Sequence, residues 1–161
     1  MWRSSSGKAG LTSTPELELV VVDASVLVEV VIEGRHARGA DALMGRYAAS
    51  PERLTLVTAA HGLVEAANAL RKLVLRGAIA APDGLSAIEA LGELDLALDM
   101  TAARLRRIWS LRDRMSAYDA AYAAVADALH APLVSVDERL VRACRDAGIP
   151  AMGLEELAAS P

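Results

Sequence analysis

The sequence predicts an α/β fold, a doubly wound sheet whose strands run parallel. Short β-branched runs without polar alternation, above all Leu19 to Val22 and Leu133 to Val136, suit strands covered on both faces. Segments of helical period follow them, in a strand-then-helix rhythm kept through most of the chain. A length of 161 residues with Cys144 as the only cysteine fits one domain with a core that needs neither disulfide nor zinc.

Residues 1–17 are rich in Ser, Thr and Gly, lack apolar period, and read as a disordered extension before a domain spanning 18–161. The Leu19 to Val22 strand stops at Asp23, and an apolar helix follows through Val26 to Ile32. Gly34 interrupts the pattern, and Ala40, Leu43 and Tyr47 give the period of a second helix over His36 to Tyr47. Leu54 to Val57 is the second strand, with Thr58 as a candidate cap for the helix from about Ala60 to Leu75. There Leu63, Ala67, Leu70 and Val74 form one stripe, while His61, Glu65, Asn68 and Lys72 share a polar face.

Gly77 closes that helix, and Pro82 opens the next, with Leu85, Ile88, Leu91 and Leu94 as its buried stripe. A short third strand, Leu96 to Leu98, precedes a helix from Thr101 carrying Leu105, Ile108, Trp109 and Leu111. Arg104, Arg106, Arg107, Arg112 and Arg114 crowd this segment, either as a solvated face with Asp113 as a local partner or as phosphate ligands. The helix that begins at Ser116-Ala-Tyr-Asp119 runs to about His130. Pro132 leads into Leu133 to Val136, which also stops at an aspartate, Asp137. A last helix holds Leu140, Val141 and Cys144, Gly148 ends it, and Ile149 to Leu154 supplies a final edge strand.

Each acid has two readings when taken singly. Asp23 or Ser25 can cap the helix after the first strand. Glu65 can be one charge on a solvated face, and Ser116 with Asp119 has the spacing of a capping box. His61 reads as a surface or capping residue, since no second His or Cys stands near it at metal-site spacing. Taken together the acids are more informative. Asp23 and Asp137 follow buried strands at the carboxyl edge of the sheet, and Glu65 and Asp119 lie early in their helices, so the four can converge there. Like charges brought together repel unless a cation offsets them. Carboxylates without His or Cys suit a hard ion, Mg²⁺ or Mn²⁺, and metal-assisted phosphodiester hydrolysis is the chemistry that follows.

A formal charge of −4 argues against a general polyanion binder. The high mean hydropathy of +0.29 leaves apolar surface for a protein partner. No stretch has the length of a membrane span and the N-terminus lacks the apolar core of a secretory signal, so a cytoplasmic protein is expected. A receiver-type phosphoacceptor would want a lysine after a late strand, and only Lys8 and Lys72 exist. A nucleotide-binding fold would want a glycine-rich loop after the first strand, and residues 23–32 contain no glycine.

VVDASVLVE around Asp23, EAANALRK from Glu65, SAYDAAYAAVA around Asp119 and LVSVDERL around Asp137 resemble, in order and spacing, the four acidic motifs of the PIN-domain ribonucleases of VapC type. The resemblance runs from Leu19 to Leu157. It implies a PIN-like three-layer α/β/α fold with a central, mostly parallel sheet of about five strands. It further implies a Mg²⁺- or Mn²⁺-dependent endoribonuclease acting on RNA, commonly a homodimer, held inactive by a cognate VapB-like antitoxin. Asp23, Glu65, Asp119 and Asp137 then correspond to the metal-binding acids. Ser25 and Ser135 match small hydroxyl positions near the metal, and Asn68 matches a polar residue after the acid on its helix. The N-terminal extension has no counterpart in the pattern. A PIN-like domain that binds RNA or protein without cutting is the alternative, and the intact acids argue against it. The apolar surface left for an antitoxin helix is expected on the Val26 to Ile32 and Ala40 to Tyr47 helices, with help from Pro82 to Leu94.

Overall fold

Five parallel strands form one sheet in the order β3-β2-β1-β4-β5, comprising β1 (Glu18–Val22), β2 (Leu54–Ala59), β3 (Leu96–Asp99), β4 (Leu133–Ser135) and β5 (Ala151–Gly153). The structure is a computed structural model that describes residues 18–32 and 34–159. The extension proposed for residues 1–17 lies outside the described residues. β1 sits at the centre, with Val21 in register with Val57 of β2 on one side and Leu133 of β4 on the other. Its last three residues are buried, as its unbroken β-branched run requires.

Among the described residues the helices are α1 (Ala24–Val31), α2 (Ala37–Ala49), α3 (Gly62–Leu75), α4 (Ala81–Glu93), α5 (Leu105–Ser110), α6 (Ala117–Leu129), α7 (Glu138–Asp146) and α8 (Leu154–Ala159), with a 3₁₀ turn at Thr101–Arg104. The three-layer arrangement expected from the sequence is the one observed. α6 is the most deeply buried helix. Every residue from Ala120 to Val125 is inaccessible or nearly so, and its run of alanines lets the backbone lie close to β1 and β2. Gly77 and Gly148 both take the left-handed conformation at helix ends, with φ of 73° and 76°.

Four local expectations are corrected. Thr58 does not cap α3; it is buried within β2, and its hydroxyl donates to the Val22 carbonyl at 2.8 Å, which ties the end of β1 to its neighbour. On α3 the innermost positions are Ala66 and Leu70, so the buried stripe is rotated by about one residue from the Ala67 and Val74 line. On α4 the small residues Gly84 and Ala87 face inward with Leu91, whereas Leu85 is 60% exposed and Ile88 39%. Close helix packing selects small side chains, and this turned the helix away from its bulkier leucine face. Finally, α7 is not the last helix. α8 follows β5 and packs along α2, where a Cβ on Gly39 would lie 2.6 Å from the Leu154 carbonyl oxygen.

Candidate active site

The connections from β1 to β3 run outward on one side of the sheet, while β4 returns to the other side of β1. The carboxyl ends of β1 and β4 are therefore the topological switch point, the place where open parallel sheets form a crevice. Asp23 and Ser135 stand at these two ends.

Asp23 is only 5% exposed. It caps α1, accepting from the Val26 amide at 3.1 Å. The capping role weighed from the sequence is real, and it uses one side of the carboxylate. Ser25 Oγ donates to Oδ1 and Ser135 Oγ donates to Oδ2, each at 2.5 Å. The serines are themselves fixed, because Ser25 Oγ accepts from the Val136 amide at 3.2 Å and Ser135 Oγ from the Asp137 amide at 2.9 Å. Both hydroxyls have thus spent an acceptor site on backbone and point their protons at Asp23. Burial pushes the Asp23 carboxyl above the ordinary range of an aspartate; the bonds from Ser135, Ser25 and Val26 oppose that shift, and the charge of Glu65 adds to it.

Glu65 lies in the first turn of α3 and accepts from the Tyr122 hydroxyl at 2.8 Å. Tyr122 is buried, and its phenol is held well above its usual pKa by burial, by the bond to Glu65 and by the charges of Glu65 and Asp23. In the sequence Tyr122 stands out only as part of the SAYDAAYAAVA motif. It stands three residues after Asp119, on the same side of α6, and that spacing is the signal that links it to the acids. His61 Nε2 lies 3.5 Å from Glu65 Oε2 without making a hydrogen bond, and its ring packs against Tyr122 at 4.8 Å and Tyr118 at 5.6 Å.

Ser116 is the cap of α6, and Asp119 pairs with its hydroxyl rather than reaching back to its amide as a full capping box would. The Asp119 amide donates to Ser116 Oγ at 3.1 Å, and that hydroxyl donates to Asp119 Oδ2 at 2.9 Å. The charge of Asp119 and that of Asp23 both act on one buried group. The buried Cys144 thiol is pushed up to about 12 by burial and then by the charges of Asp119 and Asp23. Asp137 is differently placed. It caps α7, accepting from the Arg139 amide at 2.8 Å, and its Oδ2 lies 3.4 Å from the Arg139 guanidinium. Partial burial pushes this carboxyl up, yet the bonds and charge of Arg139 with the Leu140 amide outweigh that and hold it below the usual value. Asn68 is exposed on α3.

The arrangement is therefore a buried carboxylate within the field of Glu65, with Asp119 nearby and Asp137 at the rim beside an arginine. Among the described residues no three His, Cys, Asp or Glu side chains are gathered closely enough to enclose an ion by themselves. The donors are oxygens throughout, and no basic side chain among the described residues pairs with Asp23. That combination fits a hard divalent cation of the Mg²⁺ kind, which takes one or two carboxylates and keeps most of its waters.

Residues 20–146 match the PIN domain family. Ribonuclease VapC9 of Mycobacterium tuberculosis is 34% identical over 122 residues, covering 76% of this chain and 88% of the relative. Ribonuclease VapC3 of the same species is 32% identical over 136 residues, covering 84% and 93%. Among solved structures, PAE2754 from Pyrobaculum aerophilum superposes with a TM-score of 0.64 at 24% identity, covering 89% of this chain and 96% of that one. VapBC2 from Rickettsia felis, bound to a DNA fragment from its promoter, gives 0.61 at 13% identity, covering 84% and 98%. These two share the fold.

Proposed function

This chain belongs to the PIN-domain family, among the VapC ribonucleases, a family of nuclease hydrolases, and from that premise we propose that it is a Mg²⁺- or Mn²⁺-dependent endoribonuclease, the toxin of a type II toxin–antitoxin pair. The observation that carries the reading is Asp23, a carboxylate buried at the switch point of the sheet, aimed by two serines and facing Glu65 rather than a basic partner. A site of this kind is costly to the free protein and is offset when a cation enters.

In this reading Asp23, Glu65, Asp119 and Asp137 hold the ion. When bound, it supplies acidified water and offsets charge developing on the phosphodiester. The chain does the positioning. Ser25 and Ser135 fix both oxygens of Asp23, and Tyr122 keeps its proton and uses it to hold Glu65. Asn68, exposed on α3 one turn after Glu65, is a supporting polar residue in this reading. Purified protein incubated with RNA should cleave it in Mg²⁺ or Mn²⁺ and lose that activity in EDTA. Cleavage undiminished in excess EDTA overturns the metal reading.

Asp119 can be tested separately, because its pairing with the Ser116 cap is already formed. A cap alone makes Asp119→Ala cost about 0.5–1 kcal/mol whether or not an ion is present. Ligation makes the variant melt no lower than wild type in EDTA and gain little from Mg²⁺, since wild type alone is stabilised in proportion to ion affinity. We expect the second pattern, and equal destabilisation in both buffers rejects Asp119 as a ligand.

The partner is a VapB-like antitoxin acting on a cytoplasmic homodimer. The groove we assign to it shares α1 with the surface expected from the sequence and pairs that helix with α3. An apolar groove of about 530 Å³ lies between α1 and α3, floored by Val28, Ile32, Ala69, Leu73 and Ile79, and it opens at Ser25 beside Asp23. Arg35, Lys72 and Arg76 rim it against the single acid Glu29. A helix with an apolar stripe and acidic flanks matches both features.

A further inference from the structure

The arginine-rich segment divides into two sets. Arg104 is bonded to Asp99 through both Nε and a terminal nitrogen, at 3.1 and 2.7 Å, and Arg107 is bonded to Asp127 at 2.8 Å. These two hold the segment to the body of the protein. Arg106 and Arg114 are exposed and have no acidic partner among the described residues. Arg112 lies over the Trp109 ring, 5.2 Å from its centroid, donating to the Trp109 carbonyl at 3.1 Å and lying 3.4 Å from the exposed Asp113. Residues 104–114 therefore carry five arginines against one acid in a chain whose net charge is −4.

The same face exposes apolar surface. Trp109 is 70% exposed, Tyr118 67% and Leu105 59%. Leu105 and Trp109 are four residues apart on one face of α5. Leu105, Ile108, Tyr118 and His61 line a shallow groove of about 460 Å³. That groove reaches the site, because His61 contacts both the Tyr118 ring and Glu65, and Tyr118 immediately precedes Asp119.

We propose that this face, from Leu105 to Tyr118, is a docking platform for single-stranded RNA, in which an unstacked base lies against Trp109 and its overlying Arg112 while Arg106 and Arg114 hold flanking phosphates. Exposed rings stack bases without regard to sequence, and arginines add both charge and a planar surface. The groove beside Tyr118 then carries the strand toward Glu65 and Asp23. The competing occupant is a second copy of the chain. Two copies meeting here would each bring the same excess of arginines without acidic partners to the contact, and patches of like charge disfavour that pairing. Phosphates are the complement this charge pattern lacks.

The inference rests on the nuclease reading, and binding separates the two. Affinity of the full chain for a short fluorescein-labelled single-stranded RNA is measured by anisotropy in EDTA over a series of salt concentrations. Trp109→Ala should weaken binding by about tenfold with the salt slope unchanged, and Trp109→Phe should restore most of it. Arg106→Ala and Arg114→Ala should each lower the slope of log K against log salt by about 0.7. Wild-type affinity in Trp109→Ala, from protein that cleaves RNA only with the ion, overturns the platform and leaves the nuclease reading standing. Protein that never cleaves, yet loses RNA affinity on Trp109→Ala, supports the platform and overturns the nuclease reading. A change from dimer to monomer in Trp109→Ala, with RNA affinity unchanged, makes this face a contact between copies and rejects the proposal.

Discussion

Asp23→Asn is expected to abolish ion-dependent RNA cleavage, a loss of about 100-fold or more, because charge stabilisation by a bound ion accounts for several kcal/mol of barrier and the amide cannot hold that ion. Stability should move the other way. Burial holds the folded-state pKa of Asp23 above the ordinary aspartate value, so the folded protein holds this proton more tightly than the unfolded chain. The stability associated with the protonated form is fully present below the unfolded value and is lost as pH rises through the raised folded value. Asparagine has no such loss. In EDTA near neutral pH the variant should therefore melt no lower than wild type, with the difference closing as the pH falls toward the ordinary aspartate range. A variant that still cleaves, or whose advantage grows on acidification, contradicts this account of Asp23.

Ala69→Glu is expected to release the protein from its partner, weakening the complex by about 100-fold. Ala69 is a small residue on the floor of the groove between α1 and α3, and no large core side chain is lost when it is replaced. Glutamate there fills space meant for an apolar side chain and presents a charge that repels an acidic flank. The measurement is RNA cleavage in an excess of the partner encoded beside this chain. Cleavage by the variant should persist where wild type is silenced, and equal inhibition of both proteins would place the partner elsewhere.

Much of this architecture was legible because parallel strands buried on both faces leave uninterrupted β-branched runs. Leu19 to Val22 and Leu133 to Val136 were of that kind, and the acids that ended them marked the carboxyl edge. The support of Asp23 was legible in outline too, since Ser25 and Ser135 both reach it. What failed depended on how helices seat against one another. Leu85 and Ile88 looked like core because they are large, whereas the space between α3 and α4 admitted Gly84 and Ala87. Thr58 resembled a cap because threonines commonly are, but it lies inside β2, ahead of the His61 position from which α3 starts, and its hydroxyl faces the Val22 carbonyl. The hydroxyl of Tyr122 found a partner 57 residues away, and its three-residue spacing from Asp119 was the one local sign of it.

The bond from Ser135 to Asp23 joins residues 112 positions apart. Its formation requires β4 to dock against β1, and β4 is made only after most of the chain. A protein growing from the ribosome would expose Asp23, then Glu65, then Asp119 as separate groups on an incomplete sheet, with no second serine to aim the first carboxylate. For a nuclease synthesised on RNA, this order is protective. The growing chain lacks the bond that aims Asp23 until Ser135, at position 135 of 161, has emerged.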